Sequence, residues 1–430
     1  MIAAPLVAVT LSLFASPART LTLADALQQA RQRPAMQKAL LQTAIGKARV
    51  GQALSPLLPQ ISGSASYQRT TANFVARPSQ VPTTLTQQSS SFDTANFFSL
   101  GLNVNQVLYD SQQSIDRLRA AQATADSNVA AEQVARLATE LEVRSNYYVA
   151  LAQKALVRVA AESVAVEEKR LRQIEGFVRV GTRPEIDLAQ TRVQLANARV
   201  QLTTANGNFE AARAQLNLSV GLLADTDFDV VDEPLRAVED EGAALAALIA
   251  EAERHRPDLV QLDKRVRAAE LTLSSTKGSY GPSLSASMGL TYAGRDVDKL
   301  VWNWNMSLGV QWSMFTGLST WHAVKEADAT LRSLRADRDQ QKLQIQLDCS
   351  RATVAVRTAK EALVGSKEAH AAAKERVRLA EGRYAAGVGN IIELGDAQLA
   401  LVQAAAQEVQ AQLNLMTARA QLLAALGRDE

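Results

Sequence analysis

The chain contains one unit twice, and no other feature constrains its fold as tightly. Arg33-Pro34 recurs as Arg256-Pro257, and Pro59, Ser62 and Ser64 recur as Pro282, Ser285 and Ser287, all displaced by 223 positions without a gap. Further along, Glu175-Gly176, Gly181, Leu188, Leu195, Gln215-Leu216 and Gly221 recur as Glu381-Gly382, Gly387, Leu394, Leu401, Gln421-Leu422 and Gly427, displaced by 206. The 17 missing residues fall where the polar stretch Thr71–Thr94 faces the shorter Ala293–Val301. A repeat this long with one variable loop predicts two copies of one supersecondary unit, so function has to come from what two such units build.

Each copy reads as helix, strand, strand, long helix, turn, helix. A short helix over Leu23–Arg33 stops at Pro34, and a second over Ala35–Leu54 ends before Pro56 and Pro59. The apolar period then changes from 3.6 to 2: Ile61, Gly63, Ala65 and Tyr67 alternate with Ser62, Ser64, Ser66 and Gln68. In the second copy Trp304, Met306, Leu308 and Val310 alternate with Asn305, Ser307 and Gly309. Strands are expected at about 60–70, 97–109, 283–292 and 302–315. Such alternation with aromatic ends is the weak signature of a membrane β-barrel, which would turn Trp304, Met306, Leu308 and Val310 to lipid. The competing reading is a half-buried hairpin packed on a soluble core.

Asp110–Val180 and Thr316–Ala386 each lack proline and, as helices of about 70 residues, would span roughly 105 Å. On Pro184–Val220 the series Leu188, Leu195, Leu202, Phe209, Leu216 and the series Ile186, Val193, Val200 both repeat every seven residues. The two series lie about 200° apart around the helix, which suits a helix with a neighbour on each side.

Composition narrows the rest. Aromatic residues make up 5% of the chain, which fits long helices better than a thick globular core. The net charge of +2 is interspersed, so no basic field exists for nucleic acid. Met1–Ala18 reads as a signal peptide cleaved after Ser16-Pro17-Ala18, with no cysteine following it to carry a lipid. No run of 18 apolar residues suggests a transmembrane helix. Residues 19–222 and 243–430 then form the two repeats, joined by a solvated acidic linker over 223–242. His255, His322, His370 and the single Cys349 are scattered, giving no metal-ligand spacing. No cofactor motif and no catalytic constellation is visible.

Four strands cannot close a transmembrane barrel, whose smallest forms have about eight. If the hairpins are membranous the chain must oligomerise, and three copies give twelve strands and twelve helical columns. A periplasmic coiled-coil adaptor or scaffold is the alternative; its helical hairpins would not come with duplicated strand pairs.

The repeated unit, the Ser55-Pro56-Leu57-Leu58-Pro59-Gln60 segment before the first strand, and the glycine-centred helical turns followed by Asp or Glu and Leu resemble the TolC family of outer-membrane channel proteins over Leu21–Gly427. The resemblance implies a mainly α fold with membrane β: a homotrimeric 12-stranded barrel in the outer membrane of a Gram-negative bacterium, continued by a 12-column α-helical barrel into the periplasm. It implies a passive exit duct working with a periplasmic adaptor and an inner-membrane transporter (of RND, ABC or MFS type), for small-molecule efflux or type I protein secretion. It also assigns residues. Glu393 and Asp396 would line the periplasmic constriction, with Asp187 as the counterpart of Glu393 in the first copy. Tyr384 fits a tyrosine that ties adjacent helices shut, whereas Gly389 stands where the family has its arginine and Arg183 holds the matching place in the other copy. The turns Val180-Gly181-Thr182 and Ala386-Gly387-Val388 would meet the adaptor.

Overall fold

A computed structural model describes residues 19–71, 92, 94–222, 228–231, 237–239 and 241–428. The signal peptide expected over 1–18 and most of the Thr71–Thr94 stretch lie outside them. In chain order the elements are β1 (Arg19–Leu21), α1 (Leu23–Ala30), α2 (Pro34–Leu54), β2 (Gln60–Thr71), β3 (Thr94–Tyr109), α3 (Gln113–Arg179) and α4 (Glu185–Val220). They continue as β4 (Phe228–Val230), α5 (Leu245–His255), α6 (Pro257–Gly278), β5 (Ser283–Gly294), β6 (Val301–Gln311), α7 (Ser319–Ala385) and α8 (Ile391–Leu426). Both long helices, α3 and α7, have 67 residues, and both α4 and α8 have 36. The duplication read from the letters is a duplication of elements.

The chain divides into two compact units. One gathers the described residues among Met1–Leu41, Ala130–Leu259 and Gln340–Glu430; the other is Gln42–Val129 with Val260–Asp339.

In the first unit the repeated letters have a mechanical meaning. Arg33 reaches α3 and holds Glu142 at 2.8 Å while donating to the Ser219 carbonyl at 3.0 Å. Its counterpart Arg256 holds Asp348 on α7 at 2.9 Å. Beside each arginine a helix ends in a left-handed glycine: Gly221 at φ 89° and Gly427 at φ 75°. A Cβ on Gly221 would lie 3.1 Å from the Arg33 side chain, and one on Gly427 3.1 Å from the Arg256 backbone. Glycine therefore supplies both the conformation and the clearance.

Two apolar cores flank these clamps. Val143, Tyr147, Tyr148, Leu216 and Val220 pack with Leu21, Phe228 and Val230; Ile345, Cys349, Val356, Leu422 and Leu426 pack with Leu248 and Ala252. Cys349 is fully buried, and burial pushes its thiol above the usual range. On α4 the series Leu195 and Leu216 is buried within the chain, while Ile186, Val193 and Val200 are exposed. On α8 Leu394, Leu415 and Leu422 are likewise buried, with Ile392 and Leu399 exposed. One seam of each helix is used; the other faces away uncovered.

The segment 223–242 is more than a solvated linker. Its Phe228–Val230 pairs in parallel with Arg19–Leu21, and Asp229 contacts Lys154 at 2.5 Å. Glu241 is nearly buried between Arg419, at 3.0 Å, and Lys360. Burial alone would raise its carboxyl, but hydrogen bonds from Arg419 and Lys360 outweigh it and hold the group below the usual range. Those cationic partners lie more than 70 residues away along the chain, which hides them from a local reading.

In the second unit the strands form one antiparallel sheet in the order β2-β3-β5-β6. Registers set Ala65 opposite Leu100, Leu100 opposite Tyr292, and Tyr292 opposite Trp302. With alternation, one face then carries Ile61, Tyr67, Leu102, Met288, Trp304 and Leu308, and the other Ser64, Asn103, Ser287, Asn305 and Ser307. Strand β6 ends at Gln311, short of the expected Phe315. It is an edge strand, and among the described residues no strand lies beside its outer side to continue the ladder.

Candidate functional site

Two places carry the chemistry of interest: the helix turns of the first unit and the two-faced sheet of the second.

Both turns are built alike. Gly181 (φ 73°) and Gly387 (φ 80°) end α3 and α7 in the left-handed region. The Thr182 amide donates to the Phe177 carbonyl at 3.0 Å, and the Val388 amide to the Arg383 carbonyl at 3.1 Å. These six-to-one bonds satisfy carbonyls that a helix end leaves open, which is why glycine stands where it does. Val180, Thr182, Ala386 and Val388 are all exposed on the turns. Next, Pro184 and Asn390 start α4 and α8, and Asn390 Oδ1 accepts from the Glu393 amide at 2.7 Å.

Tyr384 and Asp187, 197 positions apart, meet here. Tyr384 leaves α7 and donates to an Asp187 carboxylate oxygen on α4 at 3.2 Å. Both are buried, each 7% exposed. Arg183 completes the contact: its guanidinium lies 4.3 Å from the Tyr384 ring centroid and donates to the Tyr384 carbonyl at 2.8 Å. Burial, then the negative charge of Asp187, holds the Tyr384 hydroxyl above its usual range, so it stays protonated and donating. Arg183, not a residue at Gly389, is the arginine of this cluster. A Cβ on Gly389 would lie 3.1 Å from Arg383 Cβ and 3.1 Å from the Tyr384 amide nitrogen, so a side chain there would have to push these neighbours back by a few tenths of an ångström.

Glu393 and Asp396 do not join the cluster. Glu393 pairs with Arg383 at 3.1 Å, both partly exposed, and Asp396 is exposed on α8. A pair of that exposure contributes about 0–1 kcal/mol and screens one acid of the expected acidic pair.

One feature of the tip is not legible from spacing. Glu167 and Arg170 lie on α3, three residues apart, and look like an ordinary surface pair. They are instead buried, with nitrogen to oxygen distances of 3.0 and 3.1 Å. Burial outweighs the Arg170 charge and pushes the Glu167 carboxyl up. Behind the turn, Ile174, Val377, Ile391, Leu394 and Ala397 close an apolar core around Tyr384.

In the sheet, Trp304, Met306, Leu308 and Val310 all lie exposed on the apolar face, and Asn305 and Ser307 on the other. Ser287 and Ser307 hydrogen-bond across the polar face at 2.7 Å. Among the described residues nothing covers the apolar face.

A duplicated helical repeat carrying a two-faced, four-stranded sheet defines the class of the TolC-type channel protomer. The fold agrees with the outer membrane channel CmeC of Campylobacter jejuni at a TM-score of 0.83 and 19% identity, over 94% of this chain and 85% of that one. The chain belongs to the outer membrane efflux protein family, whose model matches residues 24–222 and 248–428, one match to each repeat. Among curated relatives, the probable efflux pump outer membrane protein SepC and the toluene efflux pump outer membrane protein TtgF, both of Pseudomonas putida, are each 24% identical over 294 residues. That match spans 64% of this chain and 57% of each relative's length.

Proposed function

We propose that this protein is the outer-membrane exit duct of a tripartite export system, conducting passively what an inner-membrane transporter delivers through a periplasmic adaptor. The observation that carries the reading is the sheet: one face is apolar along Ile61–Tyr67, Phe98–Val104, Leu284–Tyr292 and Trp302–Val310, the other is polar, and among the described residues that apolar face has no cover and the edges β2 and β6 have no partner strand. In hydrocarbon each unpaired edge group would cost several kcal/mol, so the edges have to be closed by further copies. Three copies give twelve strands, the exposed second seams of α4 and α8 meet neighbouring helices, and the polar sheet face lines the conduit.

The helix turns then form the periplasmic end. The Tyr384–Asp187–Arg183 cluster ties α7 to α4, Asp396 and the partly matched Glu393 give the entrance its acidic character, and the exposed turns at Gly181 and Gly387 dock the adaptor. The names of the Pseudomonas putida relatives, both efflux pump components, favour small-molecule efflux over protein secretion as the cargo class. No step in this role requires a catalytic group or a cofactor.

The test is the mass and location of the native protein. Extracted from outer-membrane fractions in mild detergent, it is expected at the mass of three chains and to shift to a single chain only on heating. A folded single chain recovered from the periplasm would instead support the scaffold alternative and overturn the duct.

A further inference from the structure

In the first unit α3 and α8 present matching stripes to one cavity. Leu151, Lys154, Ala155 and Arg158 lie on one face of α3, and Val409, Gln412, Leu413 and Met416 on one face of α8. Spacings of three and four are those of a helix seam, and apolar side chains are expected at its positions. Nearby the seam is closed in that way: Tyr148 and Leu151 share a core with Ala420, and toward the tip Ile174 shares one with Leu394 and Ala397. Between those closures the seam carries two cations and an amide, and it stays open. The cavity there measures about 290 Å³. Interiors are otherwise close-packed, and the aliphatic stems of Lys154 and Arg158 do not fill the gap.

The two cations are not equivalent. The Lys154 ammonium is engaged, donating to Asp229 at 2.5 Å and to the Val230 carbonyl at 2.9 Å. Its counterpart in the other copy, Lys360, contacts Glu241 in the same manner. This lysine therefore belongs to the scaffold of the repeat, fastening the segment between the copies. Arg158 has Val364 as its counterpart and has no hydrogen-bond or ion-pair partner among the described residues. Glu408 is linked to the cavity wall through Gln412, but its carboxylate already contacts Gln412 Nε2 at 3.3 Å and His370 Nδ1 at 2.6 Å. What remains is an apolar chamber with one uncommitted guanidinium at its exposed rim.

We infer that this cavity binds a small organic carboxylate with an apolar body, of the fatty-acid type. Its tail lies between Leu151, Leu413 and Met416, and its head accepts from Arg158. Mostly apolar walls with a few placed polar groups are the make-up of small-molecule sites, and the volume stands near the lower end of their range of roughly 300–1,000 Å³. It accommodates one small ligand and excludes a folded partner segment. A guanidinium takes a carboxylate through two parallel hydrogen bonds, and the soft thioether of Met416 adapts to tails of different shape. An ammonium head would be repelled by Lys154 and Arg158, and a neutral head would leave Arg158 unused. A cation at a seam position, which closes no seam and pairs with nothing in the chain, thereby acquires a purpose. None of the residues involved belongs to the helix turns or to the sheet, so the site does not depend on the channel reading.

The test uses the purified full-length protein in its native oligomeric state in lipid nanodiscs, titrated calorimetrically with decanoate against empty nanodiscs. Saturable uptake of one decanoate per chain is expected, at least about tenfold tighter than uptake of decanol, because only the carboxylate engages Arg158. Arg158→Gln, at an exposed position, is expected to erase that preference, and Arg158→Lys to retain part of it. Ala155→Phe, which fills the cavity, is expected to abolish saturable uptake of both probes; should it fail to assemble, Leu413→Phe fills the same space from α8. Four results would each overturn the site: no uptake beyond empty nanodiscs, equal affinity for decanoate and decanol, an acid preference that survives Arg158→Gln, or uptake indifferent to the filling variants. Conductance of the same preparation reads the channel separately, so either reading can fail alone.

Discussion

Removing one hydroxyl from the tip cluster should loosen it measurably. Tyr384→Phe keeps the ring, its apolar surroundings and its stacking under Arg183, but deletes the 3.2 Å donor to Asp187. A hydrogen bond to a charged acceptor is worth about 1.5–3 kcal/mol, and leaving a buried acceptor without its donor costs a comparable amount. Asp187 is 7% exposed, so water does not readily replace the donor. Each 1.4 kcal/mol is a factor of ten in an equilibrium, so separation of α7 from α4 should become about tenfold to about a hundredfold more frequent. In planar bilayers the variant should spend correspondingly more time in higher-conductance states, at an unchanged oligomer level. The pH dependence follows from the sign of the tyrosine shift. A raised value in the fold means the bond's contribution is full below the ordinary tyrosine value of 10.0 and is lost only as pH rises through the higher folded value. Wild-type gating should therefore be insensitive to this hydroxyl between about pH 5 and pH 9. Identical open-state frequencies for Tyr384→Phe and wild type, with both fully assembled, would refute the cluster as a tie.

Four further outcomes are expected. Leu308→Arg, on the uncovered apolar face, should cost about 2–4 kcal/mol of membrane assembly near the midplane, while Ser307→Arg on the polar face is tolerated; equal yields of heat-modifiable oligomer would contradict the face assignment. Arg170→Met should destabilise the tip by about 3–5 kcal/mol by stranding buried Glu167, read as a lowered thermal midpoint, and Glu167→Gln combined with it should return part of the loss. Glu393→Gln with Asp396→Asn should leave the oligomer intact and reduce cation preference, read as a shifted reversal potential; an unchanged potential would place both acids outside the conduction path. Bulky residues at both Gly181 and Gly387 strain two left-handed turns and should abolish export without lowering oligomer level; unimpaired export would remove the turns from the adaptor contact.

Much of this architecture is written in local chemistry. Period-two alternation in Ile61–Tyr67 and Trp304–Val310 fixes which side chains share a face, and Pro34, Pro184, Gly181 and Gly387 mark helix boundaries to within a few residues. The duplicated Arg-Pro pairs and terminal glycines are visible as letters, but their joint role as clamps appears only when Gly221 and Gly427 come to rest against Arg33 and Arg256. The tip was legible in part. The family resemblance points to Tyr384 and Asp187, yet no periodicity links residues 197 positions apart, and the stacking of Arg183 depends on how two separate turns approach each other. Glu167 and Arg170 have the spacing of a solvated helix pair, and their burial is decided by tertiary packing alone. The early stop of β6 has the same origin: an edge strand extends only as far as something pairs with it, and the sequence of one chain does not say where its neighbour begins.

Ionic current through the purified, reconstituted protein tests the central claim most directly. A duct closed from three copies predicts discrete current steps in a planar bilayer, carried by the oligomer and lost when heating dissociates it. A membrane-inserted oligomer that leaves the bilayer as insulating as bare lipid would contradict the account.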